Sequence, residues 1–258
     1  MKARSWAWVG AKVIGTSHQR AHSRCDDFGA CIEATTPYGD VLIGVVSDGA
    51  GSASHSYIGS RIVCSQFIRS ARDFVRAGNY VGNITESVAE CWLDDIRDYI
   101  SQIAHRERQL PREFAATMVA TVIGPTESVI LHIGDGAVVV KCNDDDSWTI
   151  PAWPMQGDYA STTYFVTDDA LPKLQYHQID DRVQSVALFT DGLERLALDF
   201  KSRTPFEPFF GQMIRPLVDQ PSGRSRYLSQ ELVKFLGSEA VNERTDDDKT
   251  LILAHRYG

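Results

Sequence analysis

The chain has 258 residues, 43% of them hydrophobic and 23% charged, which is enough to bury a large core, and we read residues 1–258 as one domain. A formal charge of -8 argues against the basic face that a nucleic-acid binder needs. No stretch approaches the ~20 apolar residues of a membrane span, Lys12 breaks the N-terminal run before a signal-peptide core forms, and the scattered Cys25, Cys31, Cys64, Cys91 and Cys142 make no CxxC pair, so we expect no membrane, reduced thiols and a cytoplasmic location.

In chain order, the first clear element is an apolar, β-branched strand at residues 41–47. Helical spacing follows over residues 57–78, where Ile58, Ile62, Val63, Phe67, Phe74 and Val75 share one face and Gly78 ends the helix. Arg61, Arg69, Arg72 and Arg76 form its solvated face. A second amphipathic helix starts from Thr85 as N-cap and carries Val88, Trp92, Ile96, Ile100 and Ile103. Strands are predicted at 117–123 and 128–133, then a long surface excursion over 143–181, a strand at 186–190, a helix at 225–236 and a closing strand at 249–254. Helices grouped between sets of strands point to an α+β layered sandwich, since regular βαβ alternation is missing.

Three of these strands run into the same dipeptide: Asp48-Gly49, Asp135-Gly136 and Asp191-Gly192. The last strand is preceded by Asp246, Asp247 and Asp248, so an antiparallel arrangement brings its beginning beside the other strands' ends. Asp26-Asp27 adds two carboxylates near the N-terminus. A single Asp-Gly is a favoured hairpin turn, because glycine tolerates positive φ. The repetition at matching strand ends favours a gathered set of carboxylates, which repel one another unless cations compensate. Oxygen donors without a His or Cys cluster suit Mg²⁺ or Mn²⁺, and two such ions sharing a water would direct it at a phosphoester.

The same motifs, in order from about Gly15 to Ala254, resemble those of the metal-dependent type 2C protein phosphatases: Cys25-Asp26-Asp27, VVSDGAGS at 45–52, Ala116-Thr117, HIGDG at 132–136, LFTDGLE at 188–194 and DDDKTLILA at 246–254. The resemblance implies a four-layer αββα sandwich, two central antiparallel sheets flanked by helix pairs, with a dinuclear Mn²⁺ or Mg²⁺ site at one end and a weaker third ion. It implies that Asp48 bridges both metals, that Gly49 offers its carbonyl, and that Asp27 contacts a metal directly or through water. Asp191 and Asp247 would complete one ion's ligands, with Asp248 as the adjacent alternative, and Asp135 with Asp191 would hold the third ion. Asp48 and Asp191 are thus the expected catalytic residues. The implied activity is hydrolysis of phosphoserine and phosphothreonine on proteins, opposing a bacterial serine/threonine kinase.

The sequence departs from the family pattern at His22, where a phosphate-binding Arg is usual; Arg20, His22 and Arg24 are the candidates for that task. Asp26 is shorter than the usual Glu, and Ala50 stands where some relatives carry a His; His55 lies just beyond the Gly/Ser-rich loop. Two rival readings keep the fold and change the function: a pseudophosphatase that binds phosphoproteins without turnover, and a small-molecule phosphatase. The Cys-x5-Arg spacing of Cys91 and Arg97 falls inside a helix and lacks a glycine cradle. The composition around 153–169 permits a flap over the site.

Overall fold

The computed structural model describes residues 5–143, 145, 147–155, 163–168 and 174–257. Thirteen strands are described: β1 (Trp6–Val13), β2 (Phe28–Thr36), β3 (Gly39–Ser47), β4 (Met118–Ile123), β5 (Ser128–Ile133), β6 (Ala137–Cys142), β7 (Thr149–Ala152), β8 (Gln175–Ile179), β9 (Val183–Phe189), β10 (Leu198–Asp199), β11 (Thr204–Pro205), β12 (Gly223–Arg224) and β13 (Lys249–Arg256). The helices are α1 (Thr16–Arg20), α2 (Ser56–Arg76), α3 (Glu86–Glu107), α4 (Glu194–Ala197), α5 (Glu207–Val218), α6 (Arg226–Leu236) and α7 (Glu239–Asn242). One sheet runs β12-β1-β13-β9-β6-β7 and the other β2-β3-β4-β5-β8; every pairing is antiparallel except the short β1–β12 contact.

The central strands carry apolar side chains on both faces because both faces are covered. Trp6, Val138, Leu188 and Ile252 of the first sheet meet Leu42, Val46, Val119 and Ile130 of the second between the layers. On its outer face the second sheet is covered by α2 and α3, through Val63, Phe67, Trp92 and Ile96. Phe67 and Phe74 meet Trp92 edge-on, with ring centroids 6.0 and 5.6 Å away. The first sheet is covered by α5 and α6, through Phe210, Leu217, Leu232 and Leu236. The result is the expected four-layer αββα sandwich, in which burying each such aromatic or aliphatic side chain contributes roughly 1.5–3 kcal/mol.

Helix ends follow local chemistry. The Thr85 and Ser225 hydroxyls accept from the N–H groups of Val88 and Leu228, and the chain leaves α2 through Gly78 at φ +87°. One expectation is corrected: the 143–181 stretch is not a pure excursion, since β7 and β8 lie within it and each closes a sheet edge. Their half-exposed positions carry polar residues, as edge strands do, which hides them from an apolar-run reading. α5 was equally hidden, because Gly211 and Pro216 interrupt its helical pattern.

Candidate active site

Strand pairing assembles the carboxylates. Phe28 pairs with Ser47, so Asp27, one residue before β2, lies beside Asp48, one residue after β3. Leu251 and Ala137 both pair with Phe189, which brings the start of β13, the start of β6 and the end of β9 together. Asp191 and Asp135 extend from those ends. The Ala116-Thr117 motif fixes the Asp48 loop: Thr117 N–H donates to the Asp48 carbonyl at 2.8 Å, Thr117 Oγ1 accepts from Asp48 N–H at 2.9 Å, and Ala50 N–H donates to the Ala115 carbonyl at 2.9 Å. These bonds use the Asp48 carbonyl and leave the Gly49 carbonyl outside the bridge.

The three Asp-Gly glycines are not turn residues. None has positive φ; among the described residues the glycines that do are Gly39, Gly78, Gly134 and Gly223. Each instead sits against another segment: a Cβ on Gly49 would lie 2.8 Å from Ser56 backbone, one on Gly136 2.7 Å from the Phe189 carbonyl, and one on Gly192 1.9 Å from the Asp248 carbonyl. Glycine is needed there so that strand ends can close upon each other, which disposes of the hairpin reading.

Asp48, Asp135 and Asp191 each offer an oxygen lying within 4.8 Å of those of the other two. Asp27 is buried beside them; its Oδ2 accepts from Thr190 Oγ1 at 2.6 Å, and its Oδ1 is buried without a hydrogen bond. Asp135 repeats the pattern, with Oδ2 accepting from Thr163 Oγ1 at 2.5 Å and Oδ1 unpartnered. Burial pushes the Asp27 carboxyl up to about 6. It pushes Asp48 and Asp191 well above the ordinary carboxylate range, reinforced by repulsion from their acidic neighbours. Asp135 and Glu194 are raised in the same way, by burial first and then by like charge. Among the described residues no Lys or Arg forms an ion pair with any of these carboxylates. Two orphaned buried oxygens and an uncompensated cluster of hard donors fit divalent cations such as Mn²⁺ and Mg²⁺.

The acidic triplet divides its work. Asp248 is buried and consumed by structure, accepting from Gly15 N–H at 2.6 Å and Asp26 N–H at 2.6 Å, with His18 Nδ1 at 2.9 Å. Asp247 is exposed on a polar pocket of 220 Å³ that Asp191, Gly192 and Glu194 also line. Lys249, fully buried, braces this loop by donating to the Asp247 carbonyl at 3.0 Å and to Asn242 Oδ1 at 3.1 Å. Thr117 belongs to the Ala116-Thr117 motif read in the sequence; the parts played by His18, Thr163, Thr190 and Lys249 were not picked out by sequence reasoning. Thr190 had a signal, standing directly before the Asp191-Gly192 dipeptide, as had Lys249, directly after the acidic triplet; His18 had none, because its partner Asp248 lies far along the chain.

Arg20, His22 and Arg24 are all exposed. Arg24 stacks over the Tyr57 ring at 4.1 Å, and His22 adopts φ +53°. The burial of Asp26 raises its carboxyl, an effect eased by His18, the Ser56 hydroxyl and Arg24 nearby. Ala50 is buried, and His55 precedes α2 with its Nδ1 2.9 Å from Ser54 Oγ. Cys91 is exposed on α3, and Arg97 donates from Nε to the Val166 carbonyl at 2.8 Å, so the two do not form a phosphate cradle. Of the flap expected at 153–169, residues 156–162 and 169 lie outside the described residues. Its flanks are tied to the site: Met155 N–H donates to the Gly134 carbonyl and Val166 N–H to the Ala116 carbonyl, both at 2.9 Å.

Two face-to-face sheets between helix layers, with carboxylates from several strand ends gathered at one edge, define a metal-dependent hydrolase of the αββα type. The family model described as Protein phosphatase 2C matches residues 14–237. Serine/threonine-protein phosphatase 3 of Escherichia coli (strain K12) is 35% identical over 254 residues, which is 97% of this chain and 98% of that protein. The chain belongs to the protein phosphatase 2C family, and is a metal-dependent phosphoprotein phosphatase. Solved structures repeat its fold. The serine/threonine phosphatase Stp1 of Staphylococcus aureus superposes with a TM-score of 0.64 at 16% identity, covering 97% of this chain and 95% of that one. The catalytic domain of the serine threonine protein phosphatase PstP, in complex with 2 manganese ions, gives 0.66 at 13% identity, covering 98% and 99%.

Proposed function

We propose that this chain removes phosphate from phosphoserine and phosphothreonine in proteins, and that Asp27, Asp48, Asp135, Asp191 and Asp247, with the Gly49 carbonyl, hold its metal ions. The observation that carries this reading is the set of three carboxylates from three strand ends within 4.8 Å, with no cationic side chain among the described residues in an ion pair with them. Two Mn²⁺ or Mg²⁺ ions, with a weaker third at Asp135 and Asp191, would supply the positive charge that polarises a phosphoester and lowers the pKa of water at the site. The chain's own part is to fix the donors. Asp48 is set through its main-chain N–H, which donates to the Thr117 hydroxyl, whereas the Thr190 and Thr163 hydroxyls donate to one carboxylate oxygen of Asp27 and Asp135 and leave the other for a cation. Arg20, His22 and Arg24 remain the residues we assign to the phosphate. The opposing enzyme we infer is a serine/threonine kinase, acting in the cytoplasm, where five free cysteines are stable as thiols. Both sheets share one buried interlayer, which supports reading residues 1–258 as one domain.

The test is phosphate release from a phosphothreonine peptide with Mn²⁺, Mg²⁺ or chelator, beside Asp48→Ala and Asp191→Ala. Turnover should require metal and fall about a hundredfold or more in each variant. Turnover indifferent to chelator and to both substitutions contradicts the site. A folded protein that binds metal and phosphopeptide without turnover would instead be the pseudophosphatase.

A further inference from the structure

Arg195 and Arg244 stand on a rim shared by two depressions. One is the polar 220 Å³ end of the site, with Asp191 and Asp247 in its wall. The other, of 670 Å³, opens outward over α4, the β10–β11 hairpin and α7, and adds Phe200, Lys201 and Phe206 to the two arginines. Phe200 and Phe206 are 41% and 49% exposed, and Phe200 is held edge-on by Trp153 at 5.7 Å between ring centroids. Rigid aromatic surface facing solvent is the kind of anchor that recognition sites use. Arg195, Lys201 and Arg244 are exposed, and none forms an ion pair with a described carboxylate. The groove's own acid, Asp199, turns its Oδ1 back to the N–H groups of Lys201 and Ser202 at 2.8 and 3.2 Å. The groove is therefore basic and aromatic, on a chain whose formal charge is -8.

Resting on the phosphatase reading, we propose that this groove binds the flank of the phosphoprotein substrate: an extended segment with acidic and apolar side chains next to the phosphorylated residue. Continuity selects the occupant, because the same two arginines border the carboxylate pocket and the groove, so a chain whose phosphorylated residue is at the metals passes over Phe200 and Phe206. Charge selects its composition, since three exposed cations against the single lining carboxylate of Asp199 attract acidic residues and repel basic ones. The apolar share of the segment covers the two phenylalanine rings.

The experiment compares two fluorescein-labelled phosphothreonine peptides that differ only in the flanks, Glu and Leu in one and Lys and Leu in the other, with p-nitrophenyl phosphate as a flankless substrate. Binding is read by anisotropy and turnover by phosphate release, both with Mn²⁺. The wild-type protein should favour the acidic peptide about tenfold in Kd and in KM. Lys201→Glu should reduce that preference through charge, and Phe206→Ala should weaken the binding of both peptides alike, because both carry the leucine that covers the ring. Equal affinity of the wild type for both peptides, a preference unchanged in Lys201→Glu, or an affinity for both peptides unchanged in Phe206→Ala overturns the proposal. The phosphatase reading fails separately, by absent turnover of every substrate; the anisotropy preference then still decides the groove.

Discussion

Asp247 and Asp248 are neighbours of the same type with different burdens. Asp248 accepts two backbone N–H groups and faces His18, and so ties the 15–26 segment to the start of β13. Asp248→Ala would strand those donors in a buried place and should cost about 3 kcal/mol or more in urea unfolding. Asp247→Ala should leave stability within about 0.5 kcal/mol, as exposed substitutions do, and remove metal-dependent turnover. Equal destabilisation by the two would show the division of labour to be wrong. At Asp48, one change should move stability and activity in opposite directions. Asp48→Asn removes a charge that Asp27, Asp191 and Asp135 all repel, so the metal-free variant should melt above the metal-free wild type while turnover is lost. Thermal melts in chelator check this, and a lower melting point in the variant would contradict it. The Asp-Gly repeat itself was readable along the chain, whereas the reason for its glycines was not. Close approach of Ser56, Phe189 and Asp248 is a long-range fact that no local pattern carries.

Among elements, α2 shows how packing reverses a propensity. An alanine at Gly59 would ordinarily favour a helix by about 1 kcal/mol. Here its Cβ would lie 2.0 Å from the Phe114 carbonyl, in the 3-10 turn Pro111–Phe114 that α2 rests upon. Gly59→Ala should therefore destabilise, by roughly 1–3 kcal/mol, read as a lower urea midpoint at unchanged slope. An unchanged or raised midpoint would mean that the turn gives way easily. The elements legible in sequence were those whose burial is continuous or strictly periodic: β3, β4, β5, β9, β13, α2, α3 and α6. β1 and β2 escaped because glycine, alanine and charged residues dilute their apolar runs, although they pair over full length with β13 and β3. β6 had a signal in Ala137-Val138-Val139-Val140, masked by the Asp135-Gly136 motif just before it.

On the scale of the whole molecule, the carboxylate edge links metal, proton and folding. The Asp27 carboxyl at about 6, with Asp48 and Asp191 also raised well above the ordinary range, holds protons more tightly in the folded chain than in the unfolded one, where such groups titrate near 3.9. Their contribution is favourable at low pH and turns into a penalty as pH rises through 6 and beyond. His132 has the opposite sign: buried and pushed down to about 4, it costs stability as pH falls below about 6.5. Divalent cations oppose the first effect and leave the second in place. The rise in melting temperature on adding Mn²⁺ should thus grow from about pH 5 to about pH 8, by on the order of 5 °C. A rise independent of pH would mean that the raised carboxylates are not the metal's ligands.

Calorimetric titration of Mn²⁺ into chelator-treated wild type, Asp48→Ala and Asp247→Ala tests the central claim most directly, because it reads the ligands without needing a substrate. The wild type should take up two ions per chain, the number proposed above for the carboxylate cluster. Asp48→Ala should lose both, and Asp247→Ala should lose one. Undiminished binding in Asp48→Ala would contradict the account, since the metals would then lie elsewhere than at the carboxylates this fold brings together.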